Sequence, residues 1–126
     1  FCMSSAAAAG IKAFGIDRGL PFPLADIPHA AAILLVGSNP VECMPPVMQY
    51  FDEQARRGGQ QIVVDPRATP TALDATLHLQ TAPGSDLALA NGLLHIVLRD
   101  GLADEAYIAE RTTGFEEVRR AVAQYW

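Results

Sequence analysis

The sequence predicts an α/β fold, a parallel sheet flanked by helices, and three observations carry that prediction. Two continuous apolar runs, Ile33-Leu34-Leu35-Val36 and Ile62-Val63-Val64, suit buried parallel strands. Each run leaves through a polar turn, Gly37-Ser38-Asn39-Pro40 in one case and Asp65-Pro66-Arg67 in the other. Segments with helical spacing then alternate with strands in the order strand, helix, strand, short helix, strand, helix, which calls for a parallel sheet with right-handed crossovers. The class is Rossmann-like. A chain of 126 residues, half of them apolar, suits one core and one domain over residues 1–126, given a usual length of roughly 100–200 residues per domain.

Ser4 or Ser5 is expected to cap a short helix over residues 6–9, with Gly10 allowing close packing and Ile11 and Phe14 extending its apolar face. Residues 15–28 carry Gly19, Pro21 and Pro23 and read as a loop, long enough for a role at an active site or interface. Asp26 and Pro28 start a short turn into a strand over residues 32–36, which is expected to be central. Pro46 then suits a helical first turn, and Val47, Met48, Phe51 and Ala55 form one apolar face as far as Gly58-Gly59, a C-cap signal.

Gln60-Gln61 leads into the second strand, which Pro66 forces out of the sheet. Residues 69–75 read as a short helical excursion and 76–79 as a third strand. The loop Ala82-Pro83-Gly84-Ser85-Asp86 precedes a helix with Asp86 at its N-cap. That helix, residues 87–98, is apolar on most faces, which predicts burial against the sheet or beneath further chain, and Gly101 ends it. Residues 104–110 and 115–125 read as surface helices, the second with Phe115, Val118 and Val122 on one face.

A net charge of −5 with no basic stripe argues against a nucleic-acid or membrane-surface binder, since Arg56-Arg57 and Arg119-Arg120 are isolated pairs. No apolar run approaches the roughly 20 residues of a membrane span. Phe1 is not an initiator, so the chain reads as an excised or processed piece of a longer one. Two cysteines are too few for a disulfide framework and lack the paired spacing of a zinc site. Cys43 is expected to be a small buried hydrophobe. Cys2 lies just ahead of a small-residue helix, whose terminal amides would favour a thiolate.

In parallel sheets ligands collect beyond the carboxyl ends of the strands. The turns Gly37-Ser38-Asn39, Asp65-Pro66-Arg67 and Gly84-Ser85-Asp86 are therefore expected along one edge, where a nucleotide-like ligand is the first expectation. Gly37 permits a turn and close backbone approach, and Asn39 offers an amide that caps the next segment or binds ligand. Neither a GxGxxG nor a GxxxxGK[ST] pattern is present. Asp65 and Arg67 have a competing use in pairing with each other, and Asp86 in capping its own helix. His95, among Leu93, Leu94, Ile96 and Val97, reads as a satisfied core histidine, and no role is assigned to His29 or His78.

These motifs together resemble the molybdopterin oxidoreductases that carry a bis-molybdopterin guanine dinucleotide. Cys2-Met3-Ser4-Ser5-Ala6 is similar to the segment bearing the metal-ligating cysteine, residues 36–42 to a cofactor-binding turn, Val64-Asp65-Pro66-Arg67 to a nucleotide-end turn, and Pro83-Gly84-Ser85-Asp86 to another cofactor loop. Asn91-Gly92-Leu93-Leu94-His95 and Thr113-Gly114-Phe115-Glu116-Glu117 follow the family too, so the resemblance spans essentially the whole chain. Cysteine followed by methionine resembles nitrate reductases, whereas formate dehydrogenases place histidine there; the Asp-Pro-Arg-x-Thr turn looks assimilatory. One departure stands out: Met44 replaces a family histidine, whose role cannot be carried over.

The resemblance implies a parent enzyme reducing nitrate to nitrite, with Cys2 as molybdenum ligand and Met3 lining the substrate pocket. Thiolate at Cys2 suits a metal otherwise held by dithiolene sulfur. Gly37, Ser38 and Asn39 would face pyrophosphate oxygens, Asp65 guanine or ribose, and Arg67 phosphate, with Pro66 shaping that turn. Gly84, Ser85 and Asp86 would contact pterin or nucleotide, and Glu42 would either bind cofactor or cap backbone amides. It also implies an iron–sulfur cluster upstream, a second pterin held partly by later chain, an electron-donor protein or domain, and a cytoplasmic location. The piece alone is expected to fold without reducing nitrate. Two rival readings stand beside this one, a formate dehydrogenase and a non-catalytic nucleotide-binding module that would have no use for Cys2.

Overall fold

The apolar run Ile62-Val63-Val64 lies in strand β2 (Gln60–Val64), the middle strand of a three-stranded parallel sheet ordered β1-β2-β3. The structure is a computed structural model and describes residues 3–16, 19 and 22–124. Strand β1 (Ala32–Val36) pairs with β2 in the register Val36↔Val64, and β3 (Leu77–Leu79) pairs with β2 through Val64↔Leu79. The strands therefore end together, and the polar turns after β1 and β2 are neighbours at one edge. The chain divides into two units, Phe1–Leu79 and Gln80–Trp126.

In the first unit, α1 (Ser4–Phe14) is longer than the spacing predicts, and Ser4 and Ser5 lie inside it. Met3 takes the N-cap position and no side chain caps the helix, because Ala7 N–H bonds the Met3 carbonyl (2.8 Å) and moves the start ahead of the serines. No residue of α1 is buried. Part of the predicted loop 15–28 instead forms a 3-10 helix, Leu24–His29, which accommodates Pro28.

After β1 come the single-turn α2 (Pro40–Cys43) and α3 (Met48–Arg56). Phe51 on α3, with Val63, Val64 and Ala72, forms the apolar core of this unit. Burying a side chain such as Phe51 stabilises by about 1.5–3 kcal/mol. Ala55, expected on the buried face, is exposed, and Gln54 takes its place with 0% exposure. Gln54 Nε2 donates to the carbonyls of Ala30 (3.1 Å) and Gln60 (3.3 Å), and its Oε1 accepts from Gln61 Nε2 (3.1 Å). One buried amide thus ties α3 to the entrances of β1 and β2.

Gly58-Gly59 closes α3 as expected, with Gly58 N–H on Ala55 O (2.9 Å) and Gly59 N–H on Gln54 O (3.0 Å), a Schellman pair. A Cβ on Gly59 would overlap the Gln54 amide, so the second glycine is required by the buried side chain. Arg57 Nε donates to Glu53 Oε1 (2.9 Å), which holds the exposed Glu53 carboxyl below its ordinary value.

Strand β1 departs from expectation. It is an edge strand of the described sheet, and Leu34 and Val36 are each 50% exposed, because the face they share is less covered than the face of Ile33 and Leu35. A mainly apolar cavity of about 670 Å³, lined by Phe22, Leu24, Leu34, Met44 and Val47 among others, opens beside it. Cys43, expected inside, is an exposed free thiol on α2, because that single turn buries only Pro40.

In the second unit, α5 (Asp86–Arg99) begins at Asp86, one residue earlier than the cap assignment allows. Ser85 stands at the N-cap, but its hydroxyl donates back to Ala82 O (2.6 Å), and Asp86 instead sits in the first turn, where negative charge suits the helix dipole. Gly101 ends α5 as expected, with Leu102 N–H on Val97 O (2.9 Å). No residue of α5 is buried, and Leu87, Leu93 and Ile96 are exposed, so its apolar composition is not matched by burial among the described residues.

Asp104 caps α6 (Glu105–Arg111) by accepting from Tyr107 N–H (2.9 Å), and α7 (Phe115–Val122) follows. Of the expected apolar face of α7, Val122 is buried, Phe115 is half-buried and Val118 is exposed. Arg119 takes the neighbouring position, lying 5.2 Å from the Phe115 ring centre and bonding Glu105 at 2.9 Å. His95 Nδ1 donates to Val122 O (3.1 Å), which ties α5 to α7. No helix among the described residues is long and apolar enough to cross a membrane.

Candidate functional site

Gly37 leaves β1 with φ +60°, a left-handed conformation that a Cβ would strain. A Cβ there would meet nothing within 4 Å, so the space beside the turn is open. The Gly37 N–H is already used: it extends the ladder by bonding Val64 O (2.8 Å). The next two amides differ, since among the described residues neither Ser38 nor Asn39 N–H meets an acceptor. Both lie just beyond the carboxyl end of β1.

The Asn39 side chain is held at both ends. Its Nδ2 donates to Glu42 Oε2, and its Oδ1 accepts from Thr71 Oγ1 (2.7 Å). Thr71 Oγ1 also accepts from Val41 N–H (3.2 Å). Glu42 therefore shares one carboxylate oxygen with Asn39 across a single helical turn, and its side chain is otherwise exposed.

Asp65, the first residue after β2, is 5% exposed. Its Oδ1 accepts from Arg67 N–H (2.7 Å), an Asx turn that bends the chain around Pro66. The second carboxylate oxygen has no partner among the described residues. The Arg67 guanidinium is 76% exposed, with Nε 3.8 Å from Asp65 Oδ1, so the mutual pairing weighed from the sequence is present but long and solvated.

Two residues that sequence reasoning missed brace this edge. His78, given no role above, donates from Nε2 to the Asp65 carbonyl (2.8 Å) and fixes the turn from β3. Thr71 lies on α4 (Pro70–Leu73), a single turn capped by Thr69 Oγ1 accepting from Ala72 N–H (3.2 Å). The Thr69-Pro70 pair signals that cap; nothing local to Thr71 indicates Asn39 as its partner. His29, also without an assigned role, lies near Arg57 Nη1 (3.4 Å) at the opposite ends of the strands.

The Gly84-Ser85-Asp86 loop belongs to the second unit. Gly84 has φ +84° with open space where a Cβ would lie, and Ser85 N–H bonds Ala82 O (3.1 Å). Met3 is exposed at the head of α1. Cys2 lies outside the described residues. Among the described residues no three His, Cys, Asp or Glu side chains converge as metal ligands.

The edge thus offers unpaired N–H groups from one turn, a half-committed carboxylate from the next, and an exposed cation beside it. Such a set suits a ligand that presents anionic oxygens to the first turn and N–H donors to the second.

Residues 2–126 match the family model for molybdopterin oxidoreductase. The chain is 49% identical over 119 residues to the assimilatory nitrate reductase catalytic subunit of Bacillus subtilis, covering 94% of this chain and 17% of that protein. It is 36% identical over 122 residues to F420-dependent formate dehydrogenase 1 subunit alpha of Methanococcus maripaludis, covering 96% of this chain and 18% of that protein. Among solved structures, acetylene hydratase from Pelobacter acetylenicus matches with a TM-score of 0.65 over 81% of this chain and 16% of its own, at 24% identity, a likeness of fold. The chain therefore spans under a fifth of the length of these relatives.

Proposed function

Because the chain belongs to the molybdopterin oxidoreductase family, we propose that it forms a cofactor-binding part of a molybdenum nitrate reductase, residues 1–126 contributing one α/β domain of the parent enzyme. The observation that carries this reading is the similarity to the Bacillus subtilis assimilatory subunit along nearly the whole chain. Met3 after Cys2, where formate dehydrogenases carry histidine, favours nitrate over formate. The formate dehydrogenase relatives supply the second reading, in which the same edge holds the same cofactor for formate oxidation.

The residues present fit a guanine dinucleotide of molybdopterin. Ser38 and Asn39 N–H groups suit pyrophosphate oxygens, and the space beside Gly37 admits them. The unpaired oxygen of Asp65 suits an N–H of guanine or a ribose hydroxyl, and Arg67 suits a phosphate. Gly84, Ser85 and Asp86 supply a further cofactor loop. Cys2 supplies a soft thiolate for the metal, and Met3 an apolar wall for the substrate.

The bound cofactor supplies the electron pair and the oxygen-atom acceptor by which nitrate and protons become nitrite and water. This chain's own part is to hold and orient that group. An iron–sulfur cluster, an electron-donor protein or domain and the second half of the cofactor cradle belong to the rest of the parent, which we place in the cytoplasm.

Asp65→Asn tests the nucleotide assignment. The variant keeps the oxygen that accepts from Arg67 N–H and replaces the other one with a donor. In the full-length enzyme, guanine nucleotide released on denaturation is expected to fall and its dissociation to quicken about 10- to 100-fold, the value of a charged hydrogen bond. Retention equal to that of the unmutated enzyme would remove Asp65 from the site.

A further inference from the structure

The two strand-end turns are joined by one buried hydroxyl. Thr71 is 3% exposed, and its Oγ1 donates to Asn39 Oδ1 (2.7 Å) while accepting from Val41 N–H (3.2 Å). It stands on α4, which is tied to the Asp65 turn through Thr69 N–H on Arg67 O (3.0 Å). Its partners stand on the other turn, 32 and 30 residues away in sequence.

We propose that Thr71 is a positioning residue: its hydroxyl locks the Ser38–Asn39 turn to the Asp65 turn, so that both present their ligand-binding groups at a fixed spacing. This rests on the reading of that edge as the nucleotide end of the cofactor site. The bond geometry assigns the work to the hydroxyl. With Oδ1 of Asn39 occupied by Thr71 and Nδ2 by Glu42, the Asn39 side chain cannot rotate, and its own N–H and that of Ser38 keep one direction. Without the hydroxyl, a buried amide oxygen and a backbone N–H both lose their partner, and the turn is free to re-pair elsewhere. Thr71 touches no ligand in this account; it acts through Asn39 and Val41.

Valine matches threonine in shape and lacks the hydroxyl, whereas serine keeps the hydroxyl and loses a methyl group. The test compares Thr71→Val and Thr71→Ser with the unmutated full-length enzyme by two readouts. The first is amide hydrogen exchange over residues 38–44 in protein made without cofactor, with β2 amides as the internal reference. The second is the rate at which cofactor-loaded protein releases guanine nucleotide.

Thr71→Val is expected to speed exchange at Val41 and release of nucleotide each by about tenfold, the equivalent of one hydrogen bond of ordinary strength, with β2 unaffected and Thr71→Ser within about twofold of the unmutated protein. Unchanged exchange in Thr71→Val would overturn the lock. Faster exchange with unchanged release would overturn the positioning role and leave a merely structural bond. Absence of guanine nucleotide from the unmutated enzyme would defeat the reading of the site itself, and with it this role; that outcome is told apart because it needs no variant.

Discussion

Cys2→Ala in the full-length enzyme is expected to abolish nitrate reduction while the fold and the bound guanine nucleotide survive. The two effects separate because they rest on different residues. The nucleotide is assigned to Ser38, Asn39, Asp65 and Arg67 beyond β1 and β2, whereas the metal is assigned to the one thiolate that the family's motif puts at Cys2. A soft ligand on a metal otherwise bound by sulfur sets both its retention and its potential. Loss of an outer-shell partner typically costs roughly 10- to 100-fold in activity, so loss of the ligand itself is expected to exceed that range. Nitrite formation, molybdenum content and released guanine nucleotide are measured on the same preparation. Unimpaired nitrate reduction would remove Cys2 from the metal and favour the non-catalytic nucleotide-binding module.

The largest expected effect on stability falls on Gln54 and Gly59. Gln54→Ala removes a fully buried side chain and strips partners from the part-buried carbonyls of Ala30 and Gln60 and from the Gln61 amide. We expect a cost of about 3 kcal/mol or more, combining the cavity left behind with buried polar groups left unmade. Gly59→Ala is expected to cost about 1–3 kcal/mol, because its Cβ overlaps the Gln54 amide and the neighbouring bonds leave that amide no alternative position. The pair is expected to be non-additive: once Gln54 is alanine, Gly59→Ala meets no amide and costs a few tenths of a kcal/mol. Native-state hydrogen exchange at the β2 amides reads all three variants. Additive costs would show that the overlap is not what demands glycine at position 59.

The strands were legible because the apolar runs are short and end in turn residues. β1 begins and ends where the sequence predicts, β2 starts two residues ahead of its predicted run, at Gln60, and β3 lies within its predicted span. Their depth was not legible. A run such as Ile33-Leu34-Leu35-Val36 records what a strand can bury, while its exposure here depends on what covers each face, and the face of Leu34 and Val36 is half exposed. The same applies to α5, whose apolar composition is not matched by burial among the described residues.

Gln54 was missed because a polar residue three positions after Phe51 falls on the same helical face as Ala55, and the pattern was read by polarity. The glycine pair that follows was the available signal, since a buried amide at the end of a helix needs a neighbour without a Cβ. Residue type alone puts Cys43 inside, and local packing leaves it exposed.

At the candidate site, the sequence identified the two turns and could not apportion their atoms. Gly37 N–H is consumed by the sheet, and Asn39 and Glu42 are committed to each other. Thr71 and His78, which fix the edge, act through partners 32 and 13 residues away, a separation invisible to a motif.

The measurement that bears most directly on the proposed activity is turnover of nitrate and of formate by the purified full-length enzyme, with molybdenum and guanine nucleotide quantified in the same sample. Nitrite formation with little formate oxidation, by protein carrying both molybdenum and guanine nucleotide, is the expected result. Formate oxidation without nitrite formation, or protein that holds neither molybdenum nor guanine nucleotide, would contradict it.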